Sequence, residues 1–318
     1  MKHQSVFLKE TLKHLDPRPG EFIIDGTLDG GGHAEEILAR ISPGGKFLGV
    51  DLDPSMTTRF AERHKGEENI LAVQGNYADL PAILAEHHLP KADGLLLDLG
   101  FSSEQLEESG RGFSFLRDEP LLMTYDPAAR PVRELLQHVN ERDLEKIISE
   151  YGGERYARRV AKGIKISGQR RKIATSGELR DLVRRSLPHG YERGRIDPAT
   201  RTFQALRIWA NDELKNVAQA MKNISQVVAP GGRIVVLSFH SLEDRIIKEA
   251  FRDGGRAGTL ELYTKKPLEA SRGEMRDNPR SRSAKLRAAR VLVPGAVKEA
   301  PEKNEPHGKK SSYGRKHS

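Results

Sequence analysis

Three acids each close a short apolar run, and two of them flank a glycine-rich turn. Asp25 follows Phe22–Ile24, Asp51 follows Phe47–Val50 and Asp98 follows Gly94–Leu97. Between the first two runs, Gly26 to Gly32 holds four glycines in seven residues. A glycine turn at the carboxyl end of a parallel strand lets backbone approach a ligand closely, and an acid after the next strand can accept both hydroxyls of a ribose. That combination points to an adenosine-bearing cofactor. A βα turn that merely needs flexible backbone explains the glycines but not the acids.

The turn chemistry discriminates between cofactors. Gly26-Thr27-Leu28-Asp29-Gly30-Gly31-Gly32 does not have the G-x-G-x-x-G spacing that seats a pyrophosphate at a helix amino terminus. No Gly-Lys-Ser/Thr follows it, which excludes a phosphate loop. Asp25 and Asp29 would repel a pyrophosphate but attract the ammonium and sulfonium of S-adenosylmethionine. The residues therefore favour S-adenosylmethionine over a nicotinamide dinucleotide.

Elements that position these acids can be read along the chain. Ala34, Leu38 and Ile41 share one face of a helix after the glycine turn, and Ile70–Val73 reads as a third strand. From about residue 107 to 200 the strand–helix alternation stops, leaving amphipathic helical patches rich in Arg and Lys. One of them opens with the capping-box pattern Thr175-Ser176-Gly177-Glu178. Asp197-Pro198 then predicts a single long helix over 199–228, stopped by Pro230-Gly231-Gly232. Arg233–Leu237 is the next strand, running through Ser238-Phe239-His240-Ser241 into a helix over Leu242–Phe251. Leu260–Tyr263 and Arg290–Leu292 are expected to pair as an antiparallel edge. The resulting organisation is an α/β domain in two parts, 1–106 and 201–295, around a helical insertion at 107–200. A polar, basic tail without periodicity, 296–318, has the composition of a disordered segment.

Composition narrows the partners. With 36% hydrophobic and 31% charged residues the chain can build a core yet stay soluble, and no apolar run nears the roughly 20 residues needed to span a bilayer. The scattered charges of MKHQSVFLKETLKHL do not form a secretory signal, so the cytoplasm is the expected location. The formal charge is +8 and it is unevenly spread: residues 151–195 hold thirteen Lys/Arg against four Asp/Glu, and 252–318 hold seventeen against eight. Two basic blocks outside the cofactor half suit a nucleic-acid phosphate footprint. There is no cysteine, which excludes disulfides and thiolate metal sites, and no metal ligand set is expected. Methylation at C5 of a pyrimidine normally needs a cysteine to add to the ring, so an exocyclic amine or a ribose hydroxyl is the expected methyl acceptor.

The segments DGTLDGGGHAEEIL, DGLLLDLGFSSEQL, RGFSF, YGGERYARRVA, ATRTFQALRIWANDEL, APGGRIVVLSFHSLEDRIIK and NPRSRSAKLR occur in this order. Together they resemble the RsmH (MraW) family of ribosomal RNA methyltransferases over nearly all but the last twenty or so residues. The resemblance implies a class I S-adenosylmethionine-dependent methyltransferase: a Rossmann-like sheet, mostly parallel with an antiparallel edge, carrying an inserted all-helical domain. It implies methyl transfer to N4 of a cytidine in the decoding region of 16S rRNA, within the small ribosomal subunit. Carried over residue by residue, it assigns Gly31, Gly32 and His33 to the cofactor turn, Asp51 to the ribose, Tyr77 to adenine stacking, and Asp98 and Gln105 to the remaining cofactor contacts. After RGFSF the family's D-x-R-x-D-type segment is replaced by Leu121-Leu122-Met123-Thr124-Tyr125-Asp126, with Leu122 and Thr124 in place of an acid and an arginine.

For the chemistry itself, Asp98, assisted by Ser102 and Ser103, is the candidate acceptor at the amine, and His240 is a second. His240 equally suits a strand-end histidine satisfied by a neighbour, and the two serines suit helix capping ahead of Glu104-Gln105. The Asn/Asp-Pro-Pro-aromatic motif of many amino-methyltransferases is absent. Phe113 and Phe115 could stack on bases or bury a domain junction, and the arginines and lysines of Arg155–Arg159 and Arg170–Lys172 could meet phosphates. Phe203 and Trp209 read as core. A non-catalytic assembly factor and a nicotinamide-dependent oxidoreductase are the competing readings.

Overall fold

The computed structural model describes residues 5–99, 110–191 and 197–293. Its frame is one sheet of eight strands: β1 (Phe22–Asp25), β2 (Lys46–Asp51), β3 (Ile70–Gln74), β4 (Ala92–Asp98), β5 (Val228–Ser238), β6 (Leu260–Leu262), β7 (Leu268–Glu269) and β8 (Lys285–Val291). The order is β3-β2-β1-β4-β5-β8-β6, with β7 also beside β8. β3 to β5 are mutually parallel, whereas β8 runs antiparallel to β5, β6 and β7. The expected antiparallel edge is present, with Leu260 opposite Val291. The central strands read as unbroken apolar runs because both faces are covered.

Alternate residues feed two cores. Ile23, Phe47, Leu96, Val235 and Leu286 face α1 (Leu8–Leu15), α2 (Gly32–Ile41) and Phe60 of α3 (Pro54–Arg63). Ile24, Leu48, Leu95, Ile234 and Val236 face α4 (Leu80–Glu86) and two helices from later in the chain. A third cluster gathers helices and the loops between them, with no strand among its described residues. It is built from α5 (Val132–His138), α6 (Glu141–Gly152), α7 (Ala157–Arg170), α8 (Ser176–Ser186) and α9 (Thr200–Ala210), around Leu144, Ile148, Val160, Ile164, Val183 and Leu206. Only an isolated bridge, Pro120 to Thr175, departs from helix and loop among its described residues. Thr175 caps α8 by accepting from Glu178 N (3.2 Å), but the Glu178 carboxylate turns to Ala174 N (2.8 Å) and Arg171 instead of closing the box.

The helix expected over 199–228 is two helices, α9 and α10 (Glu213–Val227), broken at Asn211-Asp212, where Asp212 takes φ 49°. The physical cause is tertiary. Phe203 and Leu206 of α9 lie in the helical cluster, whereas Val217 and Ile224 of α10 lie against the sheet. One straight helix cannot enter both cores. Asn211 holds the corner: its Oδ1 accepts from Tyr125 N (2.9 Å), and its Nδ2 donates to Met123 O and Arg207 O (both 2.8 Å). The clusters therefore part at 211–212 and not at residue 200. After β5 comes α11 (Ser241–Arg256), and α12 (Arg272–Asp277) precedes β8. Among the described residues no helix is long and apolar enough to cross a membrane. The tail from 294 onward lies outside the described residues.

Candidate active site

The parallel strands end together, so Asp25, Asp51 and Asp98 stand along one edge of the sheet, where ligands of open α/β sheets bind. A cleft opens there. Gly26, Thr27, Asp51, Gly75, Tyr77 and Leu99 line its sheet side, and Tyr125, Asn211, Glu213, Asn216 and Glu243 line the opposite side. Gly26 lets the wall come close: a Cβ there would sit 2.6 Å from Leu97 Cδ2 and 3.1 Å from Tyr77 Cβ.

Asp51 is 7% exposed, and its two oxygens accept from Asp29 N (2.9 Å) and Asp53 N (2.8 Å). A carboxylate offers about four lone-pair sites, so two remain for a ribose diol. Burial raises its pKa to about 6, with the two amides working against that shift. Arg111 reaches in from the insertion to Asp53 Oδ2 (3.0 Å) and to Tyr125 O (2.6 Å), tying the segment that bears Leu122 and Thr124 to the end of β2. Thr124 itself is buried. Tyr77 lines the cleft and packs against the sheet core.

The glycines after Asp29 act differently from Gly26. Gly31 (φ 82°) is the left-handed residue that starts α2, and a Cβ on Gly32 would meet Ser5 Oγ at 2.2 Å. They do not line the cleft. Their role here is to bring His33, 6% exposed, to 3.4 Å from Asp98 Oδ2. Burial alone would lower the His33 pKa, but Asp98 and then Asp25 overcome it and the net shift is upward. Asp25, fully buried, is pushed up to about 7 by desolvation, against the pull of His33 and Thr27 N. Asp98 N is held by Thr27 Oγ1 at 2.6 Å.

The opposite wall is a compensated charge cluster. Arg207 Nε and Nη2 bind both oxygens of Glu213 (2.8 and 2.9 Å), and Tyr125 Oη donates to Glu213 Oε1 (3.3 Å). His240 caps α11 and lies 3.1 Å from Glu243 Oε1 and 4.0 Å from Glu213 Oε2. Burial opposes its charge, yet the two glutamates raise its pKa to about 9. An imidazolium has no lone pair for the 3.4 Å contact from Glu243 N. That long contact is the weaker term, so the carboxylates decide the protonation state. Donor atoms of Glu213, His240 and Glu243 lie within 4.8 Å of one another, a metal-like spacing, but Arg207 already fills the role of the cation there.

Of the residues singled out from sequence, Asp51 and Tyr77 meet in the cleft, while Asp98 and His33 meet just behind it. His240 belongs to the far wall. Ser102, Ser103 and Gln105 lie outside the described residues. Phe113 stacks on Tyr125 (centroids 5.1 Å) and Phe115 packs edge-on to Phe203 (5.1 Å), so both bury the helical cluster and do not offer faces to bases. Gly26 belongs to the glycine turn read from sequence, whereas Gly75, Tyr125, Asn211, Glu213, Asn216 and Glu243 were missed as lining residues. Only Asn211-Asp212, a pair favoured at helix ends, carried a readable signal.

The cleft fits S-adenosylmethionine: an acid with two lone-pair sites left for a diol, an aromatic ring beside it, and the backbone of the glycine turn in its wall. An Asp51 that accepts both hydroxyls of a ribose must be ionised. Cofactor affinity is therefore expected to be flat above about pH 7 and to fall as pH drops through about 6. Asp51→Asn should weaken binding about 10- to 150-fold near neutral pH and flatten that profile. Calorimetric titration across the range checks both; an Asp51→Asn protein with unaltered affinity contradicts the ribose assignment.

The chain matches the MraW methylase family over residues 1–292. It is 43% identical over 307 residues to the ribosomal RNA small subunit methyltransferase H of Trichlorobacter lovleyi, covering 91% of this chain and 98% of that protein. The protein of the same name from Deinococcus deserti is 43% identical over 291 residues, covering 92% and 94% respectively. That of Geobacter sulfurreducens is 42% identical over 307 residues, covering 91% and 99%. With the family's match running through both parts of the sheet and the helical insertion, this chain belongs to the MraW methylase family and uses S-adenosylmethionine as its cofactor.

Proposed function

We propose that this protein methylates the exocyclic N4 of a cytidine in the decoding region of 16S rRNA, acting in the cytoplasm on the small ribosomal subunit. The observation that carries the reading is a cleft whose surroundings supply carboxylates, Asp98 on one side and Glu213 and Glu243 on the other, in a chain without a thiol. Carboxylates suit an amine that must lose a proton; a ring carbon would need the missing nucleophile. The names of the relatives support ribosomal RNA of the small subunit as substrate. Cytidine N4 and the decoding region rest on the family resemblance of the sequence motifs.

When bound, S-adenosylmethionine supplies an electrophilic methyl group on its sulfonium. Asp51 holds the ribose and Tyr77 the adenine, while Gly26 lets backbone lie against the ligand. The cytosine N4 lone pair is delocalised into the ring, so the amine is a poor nucleophile. Asp98 accepts from the amine and localises that pair, with Ser102 and Ser103 as assistants on the adjoining segment. His33, at 3.4 Å, acts through Asp98 by holding its carboxylate in place. Gly31 and Gly32 set the position of His33, and Gln105 completes the cofactor contacts. His240, protonated at neutral pH, is a poor proton acceptor and serves the wall as a cation. Exposed Arg155, Arg158, Arg159 and Lys162 on and before α7 offer a phosphate-binding face; Arg171 instead pairs with Glu178.

The deciding experiment supplies labelled S-adenosylmethionine and purified small subunits, then maps the modified nucleotide. Label at a cytosine amine in the decoding region is expected. Binding of subunits without transfer would identify an assembly factor instead, and label at another atom would overturn the acceptor.

A further inference from the structure

A second charged surface lies away from the cleft and from the helical insertion, at the antiparallel edge of the sheet. There α1 and the segment joining β6 to β7 form a groove lined by Lys9, Lys13, His14, Tyr263, Lys265 and Lys266, with Glu10 as the acid among its lining residues. All four lysines are exposed, and Tyr263 is 41% exposed. The ring is nonetheless fixed. His14 stacks on it (centroids 6.3 Å, interplanar angle 30°), Tyr263 N donates to Ala288 O (3.0 Å), and the next residue, buried Thr264, accepts from Ala288 N (3.1 Å). Burial, and then Lys13, lower the His14 pKa, so the imidazole is neutral and adds ring surface without repelling the lysines' partner.

We propose that this groove is a contact for a single-stranded segment of the RNA substrate, with a base stacked on Tyr263 and phosphates held by the lysines. The occupant follows from the chemistry. An aromatic face gives a sequence-tolerant platform for a base, and flanking cations track a phosphate backbone. An acidic peptide would use the lysines but leave the ring idle. The topology points the groove at the site. Leu268, at its upper end, pairs with Leu286, which pairs with Leu237, which pairs with Asp98. Three strand spacings, about 14 Å, therefore separate the groove from the reacting edge at the same height. An RNA strand entering along the groove arrives level with Asp98. The inference rests on RNA being the substrate.

The test measures binding of a short single-stranded pyrimidine oligoribonucleotide over a salt series. Tyr263→Ala is expected to weaken binding at least about fivefold at every salt concentration with the slope unchanged, while Tyr263→Phe keeps near-normal affinity. Lys265→Ala with Lys266→Ala is expected to reduce the slope of log affinity against log salt by about 1.4. These lysines are exposed, so that variant stays informative even if loss of the Tyr263 ring disturbs the edge. Unchanged affinity and slope in both variants overturn the proposal. So does loss of binding to phosphatidylserine vesicles in the same variants with RNA binding retained. Methyl transfer to small subunits by the unaltered protein is scored separately, so a failed groove and a failed substrate assignment give different results.

Discussion

Replacing Arg207 by alanine is expected to destabilise the protein by about 3–5 kcal/mol, since removing one partner of a buried pair strands the other charge. Arg207 binds both oxygens of Glu213, and the two side chains are only 11% and 10% exposed. Without the guanidinium, Glu213 faces Glu243 with His240 as the nearest cation. The pair also joins α9 of the helical cluster to α10 on the sheet, so loss should loosen the junction that carries half of the cleft. Urea denaturation measures the effect; a loss under about 1 kcal/mol would show that the junction does not depend on the pair. Replacing both partners with apolar residues, as in Arg207→Met with Glu213→Leu, should recover most of the stability but not the cleft's chemistry. The same cluster sets a pH dependence. His240 has a folded pKa of about 9, above its ordinary 6.5, so its contribution is complete below about pH 6.5 and is lost as pH rises through 9. Alkaline conditions should therefore weaken the junction.

Asp98→Asn is expected to slow single-turnover methyl transfer by about 10²- to 10⁴-fold at saturating cofactor and RNA. The substitution keeps size and shape while removing the charge proposed to receive the amine proton, which lies 3.4 Å from His33. His240→Ala is expected to slow the chemical step much less and appear mainly as lost stability, because its imidazole lies against Glu213 and Glu243. Near-normal transfer by Asp98→Asn, with cofactor affinity retained, would remove Asp98 from the reaction. A large rate loss in His240→Ala with stability intact would transfer the role to that histidine.

The cofactor edge was legible because its signals are local. A buried parallel strand needs an unbroken apolar run, and an acid directly after such a run can only stand at the sheet's carboxyl edge; Asp25, Asp51 and Asp98 were found on that rule alone. The antiparallel edge was legible for the same reason, although β8 begins earlier, at Lys285, than its apolar end suggested. The break between α9 and α10 was not read, because Asn211 and Asp212 interrupt a pattern that remains helical on either side. What makes them a corner is the pull of Tyr125 N and Met123 O, some 86 and 88 residues earlier in the chain.

The sequence by itself determined the strand ends, the glycine turn, the helical insertion and the lack of a thiol, and with them the cofactor. These are properties of short windows, where periodicity and residue type act directly. The far wall was decided only by tertiary structure. Glu213, Asn216 and Glu243 sit on amphipathic helices where, in sequence, they look like ordinary solvated residues, and Tyr125 sits in a loop. They become one surface because two cores meet at Asn211-Asp212 and bring Arg207 onto Glu213. Gly31, Gly32 and His33 show the same division: the turn was evident from composition, but that it delivers an imidazole to Asp98 follows from α2 docking against Ser5 and the sheet. Local chemistry located one side of the site, and long-range packing supplied the other.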